Sequence, residues 1–243
     1  MKKQNISGHL RDLRGCLLSI SIFIVLGSVC GYLISKELIK FFMKPMGNVL
    51  HNNNMLDSHR MIYTGMAEAF LVHIKIAIFF GTIITSPLWL FKLWGFVAPG
   101  LYKNERKSFL SLFIISPILF ISGCSFAYYL VLPKAYSFFL SFEIPATANS
   151  MALHMEMRLM EFLSFMMRLV IAFGLTFQMP VILKIANKMG WITSNTLKKN
   201  WRFVIVGIFS LSAIITPPDV FSMISLAVPL ILLYAISILF IMK

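Results

Sequence analysis

Six apolar stretches, separated by short polar segments, run from residue 17 almost to the end of the 243-residue chain, at 17–34, 69–91, 109–132, 162–185, 203–215 and 221–242. An α-helix rises about 1.5 Å per residue and a bilayer's hydrocarbon core is about 30 Å thick, so one crossing takes about 20 apolar residues. The first four stretches meet that length. A transmembrane β-barrel would instead alternate polar and apolar residues over strands of about ten, and no such alternation occurs. Lipid offers the backbone no hydrogen-bond partners, which leaves helices as the way across. The sequence predicts an all-α, polytopic membrane protein with six transmembrane helices, forming one domain over 1–243. The fifth stretch, at about 13 residues, gives only about 20 Å of helix, too short for an undeformed bilayer. Composition agrees: 58% of residues are hydrophobic and 13% charged, against roughly 45–50% and 25% in soluble domains.

Lys2, Lys3, Arg11 and Arg14 precede the first stretch. That stretch is longer than a signal-peptide apolar region and no A-x-A site follows, so it reads as a transmembrane helix. Before it, Ile6, Leu10, Leu13 and Leu17 recur at helical spacing, predicting an amphipathic helix that runs into the span, with Asn5 or Ser7 as its cap. The cysteines, Cys16, Cys30 and Cys124, lie at or inside apolar segments without a CxxC pair. Small packing roles are expected of them, with neither a disulfide framework nor a metal site.

The net charge of +13 would suit nucleic acid, but its distribution points to orientation in a membrane instead. With six crossings, the N-terminus, second loop, fourth loop and C-terminus share a side. Fourteen of the 22 basic residues lie there, and six (Lys36, Lys40, Lys44, Arg60, Lys134, Arg158) on the other. The positive-inside rule places both termini in the cytoplasm. Carboxylates split the other way. Only Asp12 and Glu105 are inside; Glu37, Asp57, Glu68, Glu143, Glu156, Glu161 and Asp219 are outside. The outer segments, roughly 35–68 and 133–161, read as loops, the first with the turn-prone run His51-Asn52-Asn53-Asn54.

Asp12 and Glu105 admit two readings. They form local ion pairs with neighbours such as Arg14, Arg106 and Lys107, which is worth little at a surface, or they receive guanidinium groups as bidentate acceptors. Lys75 and Arg168 lie about two turns inside the outer ends of the second and fourth spans, each with a glutamate seven residues earlier (Glu68, Glu161). The expectation is that their stems snorkel outwards and pair there. Gln178, deep in the fourth stretch, is a hydrogen-bonding contact between helices or a landing point for a partner helix. His73, near the outer interface, reads as structural. No phosphate-binding loop, HExxH, G-x-S-x-G or metal-spaced cluster occurs, so neither catalysis nor a cofactor is expected.

The ordered motifs add to this. His9-Leu10-Arg11-Asp12-Leu13-Arg14, Trp94 to Arg106 (with Phe96, Pro99, Leu101, Tyr102 and Glu105), Phe126-Ala127-Tyr128-Tyr129 with Pro133, Phe173 to Pro180, and Thr216-Pro217-Pro218-Asp219-Val220-Phe221-Ser222 stand in sequence order, with Pro45 in the first outer segment. The chain thereby resembles TatC, the multispanning component of the twin-arginine translocase, over nearly its whole length. The resemblance implies a concave bundle with short fifth and sixth helices in a bacterial inner membrane, or an organellar one of bacterial descent. It implies export of folded proteins driven by the proton motive force. It implies that Glu105 and Asp12, among Arg14, Phe96, Pro99, Leu101 and Tyr102, bind twin-arginine signal peptides. TatA, TatB and further TatC copies are the implied protein partners, with Gln178, Thr216, Pro217, Pro218 and Asp219 as partner-helix contacts, and Pro45 and Pro180 as structural positions. The chain departs from the family pattern at Asp12 (usually Glu), Cys16 (often Arg), Gln178 (often Glu), Met223 (often Gln) and Ala235 (often Glu). A small-solute secondary transporter is the competing class; it predicts an inverted repeat and midplane charges, and neither is present.

Overall fold

The computed structural model describes residues 6–52, 60–97, 106–143, 156–215 and 220–242. Among the described residues, eleven α-helices follow in chain order: α1 (Ile6–Leu33), α2 (Ser35–Asn52), α3 (Met66–Ile84), α4 (Ser86–Val97), α5 (Arg106–Phe126), α6 (Leu132–Leu140), α7 (Leu159–Thr176), α8 (Met179–Lys188), α9 (Ser194–Lys199), α10 (Trp201–Ile215) and α11 (Val220–Met242). A π-helical turn, Ala127–Val131, joins α5 to α6. Two short strands, β1 (Met61–Ile62) and β2 (Met157–Arg158), pair in parallel with Met61 opposite Met157. They tie the two outer segments to each other.

The six apolar stretches become this bundle. Four helical runs, Leu10–Leu33, Met66–Ile84, Phe113–Leu140 and Leu159–Lys188, are long and apolar enough to cross a membrane, and Trp201–Ile214 and Met223–Ile238 are shorter. α10 has 15 residues, about 22 Å of helix. Only 11% of the first run's apolar window is buried, against 50% of the fourth's. α1 therefore lies at the edge with Leu17, Ile22, Val25, Leu26 and Val29 exposed, while α7 is central. Around α7 the core gathers Ile76, Phe120, Leu132, Leu163, Met166 and Phe173, all fully or almost fully buried.

Two crossings depend on missing side chains. A Cβ on Gly81 of α3 would sit 2.5 Å from the Ser28 nitrogen, and one on Gly31 of α1 would sit 2.9 Å from the Ala77 oxygen. Gly27 and Gly31 thus face Ala77 and Gly81, a small-xxx-small contact in which backbones meet. Gly123 of α5 likewise lies against the Phe173 carbonyl of α7, and a Cβ there would come within 2.6 Å.

Prolines explain where the stretches break. Pro87 has no N–H to give to the Ile83 carbonyl, and α3 stops at Ile84 before α4 resumes. The Trp89 indole N–H donates to the neighbouring Thr82 carbonyl at 2.9 Å, holding the bend. Pro180 opens α8 in the same manner after a break at Phe177–Gln178. The π-helical turn ends at Val131, two residues before Pro133, where one extra residue gives the ring room.

The structure corrects three expectations. The first outer segment is not a loop at its start: residues 35–52 form α2. Leu38, Ile39, Phe42, Pro45, Met46, Val49 and Leu50 are buried there, while Lys36, Lys40, Lys44 and Asn48 are exposed. The second outer segment starts with helix, since α6 carries the third span on to Leu140. The outer pairs also differ. Glu68 accepts from Thr64 N (2.6 Å), Thr64 Oγ1 (2.9 Å), Gly65 N (3.3 Å) and Met160 N (3.2 Å). It caps α3 and anchors the start of α7, because four nearby donors serve its carboxylate better than one ammonium two turns away. Lys75 Nζ donates instead to Ser164 Oγ at 3.1 Å, and Arg168 Nε to the Ser164 carbonyl at 3.2 Å. Glu161 pairs with Arg158 at 3.3 Å. The structural reading of His73 agrees with its 2.9 Å hydrogen bond to Ser35 Oγ, joining α3 to α2.

Pro45 stands inside α2. Inside α2 it cannot donate to the carbonyl four residues earlier, which belongs to Phe41. That carbonyl accepts the Tyr128 hydroxyl at 2.5 Å, and the Phe41 and Tyr128 rings stack at 4.9 Å. The missing N–H of one helix becomes an attachment point for the third span.

Candidate functional site

The amphipathic entry to α1 is continuous with the first span, as its leucine spacing predicts. Asp12 and Arg14 are exposed on it. One turn later the Cys16 thiol reaches the Lys92 carbonyl of α4 at 3.6 Å. This sulfur contact is weak, but it fixes the pairing: the N-terminal motif packs on the helix that leads into the second loop. Leu10, Leu13, Arg14, Leu17, Leu18 and Ser21 line an open depression of about 290 Å³ on the face of α1 turned away from Asp12. Arg11, Arg14, Lys92, Arg106, Lys107, Lys184, Lys188, Lys198, Lys199 and Arg202 are the described basic residues assigned by charge to this side. Asp12 is the only described carboxylate on it.

α4 is held by a buried chain of polar groups. The Trp94 indole N–H donates to Ser116 Oγ of α5 at 2.7 Å. The Ser116 hydroxyl donates to Gln178 Oε1 at 2.5 Å, and Gln178 Nε2 donates to the Ser116 carbonyl at 2.9 Å. Trp94, Ser116 and Gln178 are 8%, 0% and 3% exposed. A hydroxyl that both accepts and donates, facing an amide that does the same, gives each side-chain polar atom of the chain at least one partner. Three structural parts meet here: α4, α5 and the junction between α7 and α8. Gln178 therefore works as a contact between helices of this chain, and a partner helix would reach it only by displacing these bonds. Ser116 was not singled out from sequence; the available signal was a hydroxyl in mid-stretch beside Pro117, where a polar side chain needs a partner.

Of the other expected site residues, Phe96 is half-buried near the end of α4. Pro180 occupies the first turn of α8. Glu105, Pro99, Leu101 and Tyr102, and likewise Thr216, Pro217, Pro218 and Asp219, lie outside the described residues. In sequence, residues 98–105 join α4 to α5 and residues 216–219 join α10 to α11. At the base of the same face, the Tyr234 hydroxyl of α11 donates to the Leu197 carbonyl of α9 at 2.9 Å.

Residues 8–229 match the family model for the Sec-independent protein translocase protein TatC. The chain belongs to the TatC family. It is 37% identical over 239 residues to the TatC of Magnetococcus marinus, covering 98% of this chain and 84% of that protein. It is 36% identical to the TatC of Rickettsia prowazekii, covering 98% and 92%. In three dimensions it is similar to a crystal structure of the twin-arginine translocase receptor TatC in DDM, with a TM-score of 0.80, 33% identity, and 96% and 99% of the two chains covered. A TatC-family chain is a multi-pass membrane component of a protein translocase. The overall arrangement of helices is thus that of a family, and Gln178 sits in a hydrogen-bonded network without a charge.

Proposed function

We propose that this chain is the twin-arginine signal-peptide receptor and core translocase subunit that exports folded proteins across a bacterial inner membrane. The observation that carries the reading is the end-to-end likeness to the twin-arginine translocase receptor, at a TM-score of 0.80 with 33% identity. The residues supply the chemistry. A basic surface holds stray cations off, and a carboxylate set in it makes a local acceptor for an arginine fork. Asp12 stands one turn from the contact between α1 and α4, and Glu105 stands at the other end of the segment that α4 leads into. Arg14, Phe96, Pro99, Leu101 and Tyr102 complete the face in this reading.

TatA, TatB and further copies of the chain are the proposed protein partners, with Thr216 to Asp219 as contacts for a partner helix. The proton motive force is the proposed energy source, and the role is binding and passage rather than catalysis. None of the relatives described above is a solute transporter, so the competing reading has no support.

Photo-cross-linking of a twin-arginine peptide to the chain in membranes tests the proposal. Asp12→Ala should weaken the cross-link and Glu105→Ala should abolish it. An undiminished cross-link in the double variant, at normal protein level, overturns the reading.

A further inference from the structure

On the outer side, at the junction of α6, β2 and α7, a pocket of about 260 Å³ is lined by four aromatic rings and three charged side chains. The rings form a connected wall. Tyr136 stacks on Phe162 with centroids 5.0 Å apart, and Phe165 meets Tyr136 at 6.5 Å and Phe139 at 5.9 Å, both edge-on. Glu156, Arg158 and Glu161 line the same pocket. Arg158 is paired with Glu161 at 3.3 Å, and Glu156 has no ion-pair or hydrogen-bond partner among the described residues. The pocket therefore carries one net negative charge beside aromatic faces. Tyr136 is only 5% exposed, and its hydroxyl is shut off from water with no hydrogen-bond partner among the described residues.

Position narrows the ligand. The third apolar run ends at Leu140 and the fourth begins at Leu159, so the pocket opens at the outer ends of two spans, at headgroup depth. Its volume is below that of sites for drug-sized molecules and suits a headgroup. Aromatic faces and free carboxylate oxygens attract an organic cation. An anionic headgroup would meet two carboxylates and an arginine already paired. A quaternary ammonium would gain from the rings but has no N–H to donate to Glu156 or Glu161.

The geometry points to a binding site for the headgroup of a zwitterionic phospholipid bearing a primary ammonium. The ammonium sits against the rings and donates to Glu156 and Glu161, and the phosphate lies towards the Arg158 N–H groups that Glu161 does not take. This lipid would hold α6 and α7 together from the outer leaflet, on the side opposite the proposed signal-peptide face and independently of it.

Native mass spectrometry of the full chain in detergent, titrated with phosphatidylethanolamine, phosphatidylcholine and phosphatidylglycerol of identical acyl chains, tests it. Phosphatidylethanolamine should bind in one copy, about tenfold or more tighter than phosphatidylglycerol and measurably tighter than phosphatidylcholine. Glu156→Gln with Glu161→Gln should erase the preference while leaving the melting temperature unchanged, since both side chains are exposed and their ion pair contributes little. Phe165→Leu should weaken binding of phosphatidylethanolamine without restoring phosphatidylglycerol. Equal binding of the three lipids, or a preference that survives the double substitution, overturns the assignment.

Discussion

Replacing Gln178 by Leu removes an amide that accepts from Ser116 Oγ and donates to the Ser116 carbonyl. Shape is nearly kept, so the loss falls on hydrogen bonding. The Ser116 hydroxyl, fully buried, would still accept from Trp94 but would have no acceptor of its own. An orphaned buried polar group costs about 1–3 kcal/mol, while hydrogen bonds between membrane helices average about 0.6 and reach about 1.7 kcal/mol. A destabilisation of about 1–3 kcal/mol follows for Gln178→Leu. Ser116→Ala should cost about the same, because it strands both the Trp94 N–H and the Gln178 oxygen. Trp94→Phe deletes one donor and leaves the serine–glutamine pair intact, so its hydrogen-bond loss should be the smallest, about 0.5–1 kcal/mol. Gln178→Leu with Ser116→Ala should cost clearly less than the two singles added, since the second change removes the group that the first had stranded. Reversible unfolding in bicelles, followed by far-ultraviolet circular dichroism, measures all four. A Gln178→Leu variant within about 0.3 kcal/mol of the parent, or a strictly additive double variant, would refute the reasoning.

Three further outcomes are expected. Gly81→Val should prevent stable accumulation of the protein, because its Cβ alone would lie 2.5 Å from the Ser28 backbone, whereas Gly47→Ala, with open space around it, should stabilise α2 by about 0.5–1 kcal/mol; membrane levels and melting temperatures check both. Tyr128→Phe should destabilise by about 1 kcal/mol, and the effect should shrink in a Pro45→Ala background, where residue 45 regains an N–H for the Phe41 carbonyl; a double-mutant cycle in bicelles reads this. Glu68→Gln should loosen the start of α3 and the β1–β2 pairing, raising amide hydrogen exchange at Thr64, Gly65 and Met160, while Lys75→Met leaves those amides unchanged.

Much of the fold is readable from the sequence because lipid imposes one demand, an unbroken apolar run long enough to cross. The four long spans and the short α10 follow from that, and the leucine spacing at 6–17 foretold the amphipathic entry of α1. The same search passes over α2, whose apolar residues are divided by lysines and an internal proline; its i, i+4 pattern at Leu38, Phe42 and Met46 was the signal available. The helix breaks near Pro87 and Pro180 stood in the sequence, but whether a proline bends or ends a helix depends on what takes up the freed carbonyl. Spacing alone paired Glu68 with Lys75. The four backbone and hydroxyl donors that capture Glu68 come partly from residues about 90 positions away, and no local pattern reveals them. At the proposed binding face, Asp12 and Arg14 are exposed on α1, and the partner that brings α1 to α4, the Lys92 carbonyl, is backbone and so leaves no mark in the sequence.

The central claim is that carboxylates at positions 12 and 105 stand together at the inner surface to hold an arginine pair. Cysteines replacing Asp12 and Glu105, in a chain whose native cysteines are changed to serine, measure this most directly through a short bifunctional maleimide added from the cytoplasmic side of inverted vesicles. The account predicts rapid cross-linking between the two positions, and slower cross-linking when a twin-arginine peptide is added to a chain carrying only one of the two substitutions plus a neighbouring reporter cysteine. Two positions that never cross-link, or that react only from the opposite side of the membrane, would contradict it.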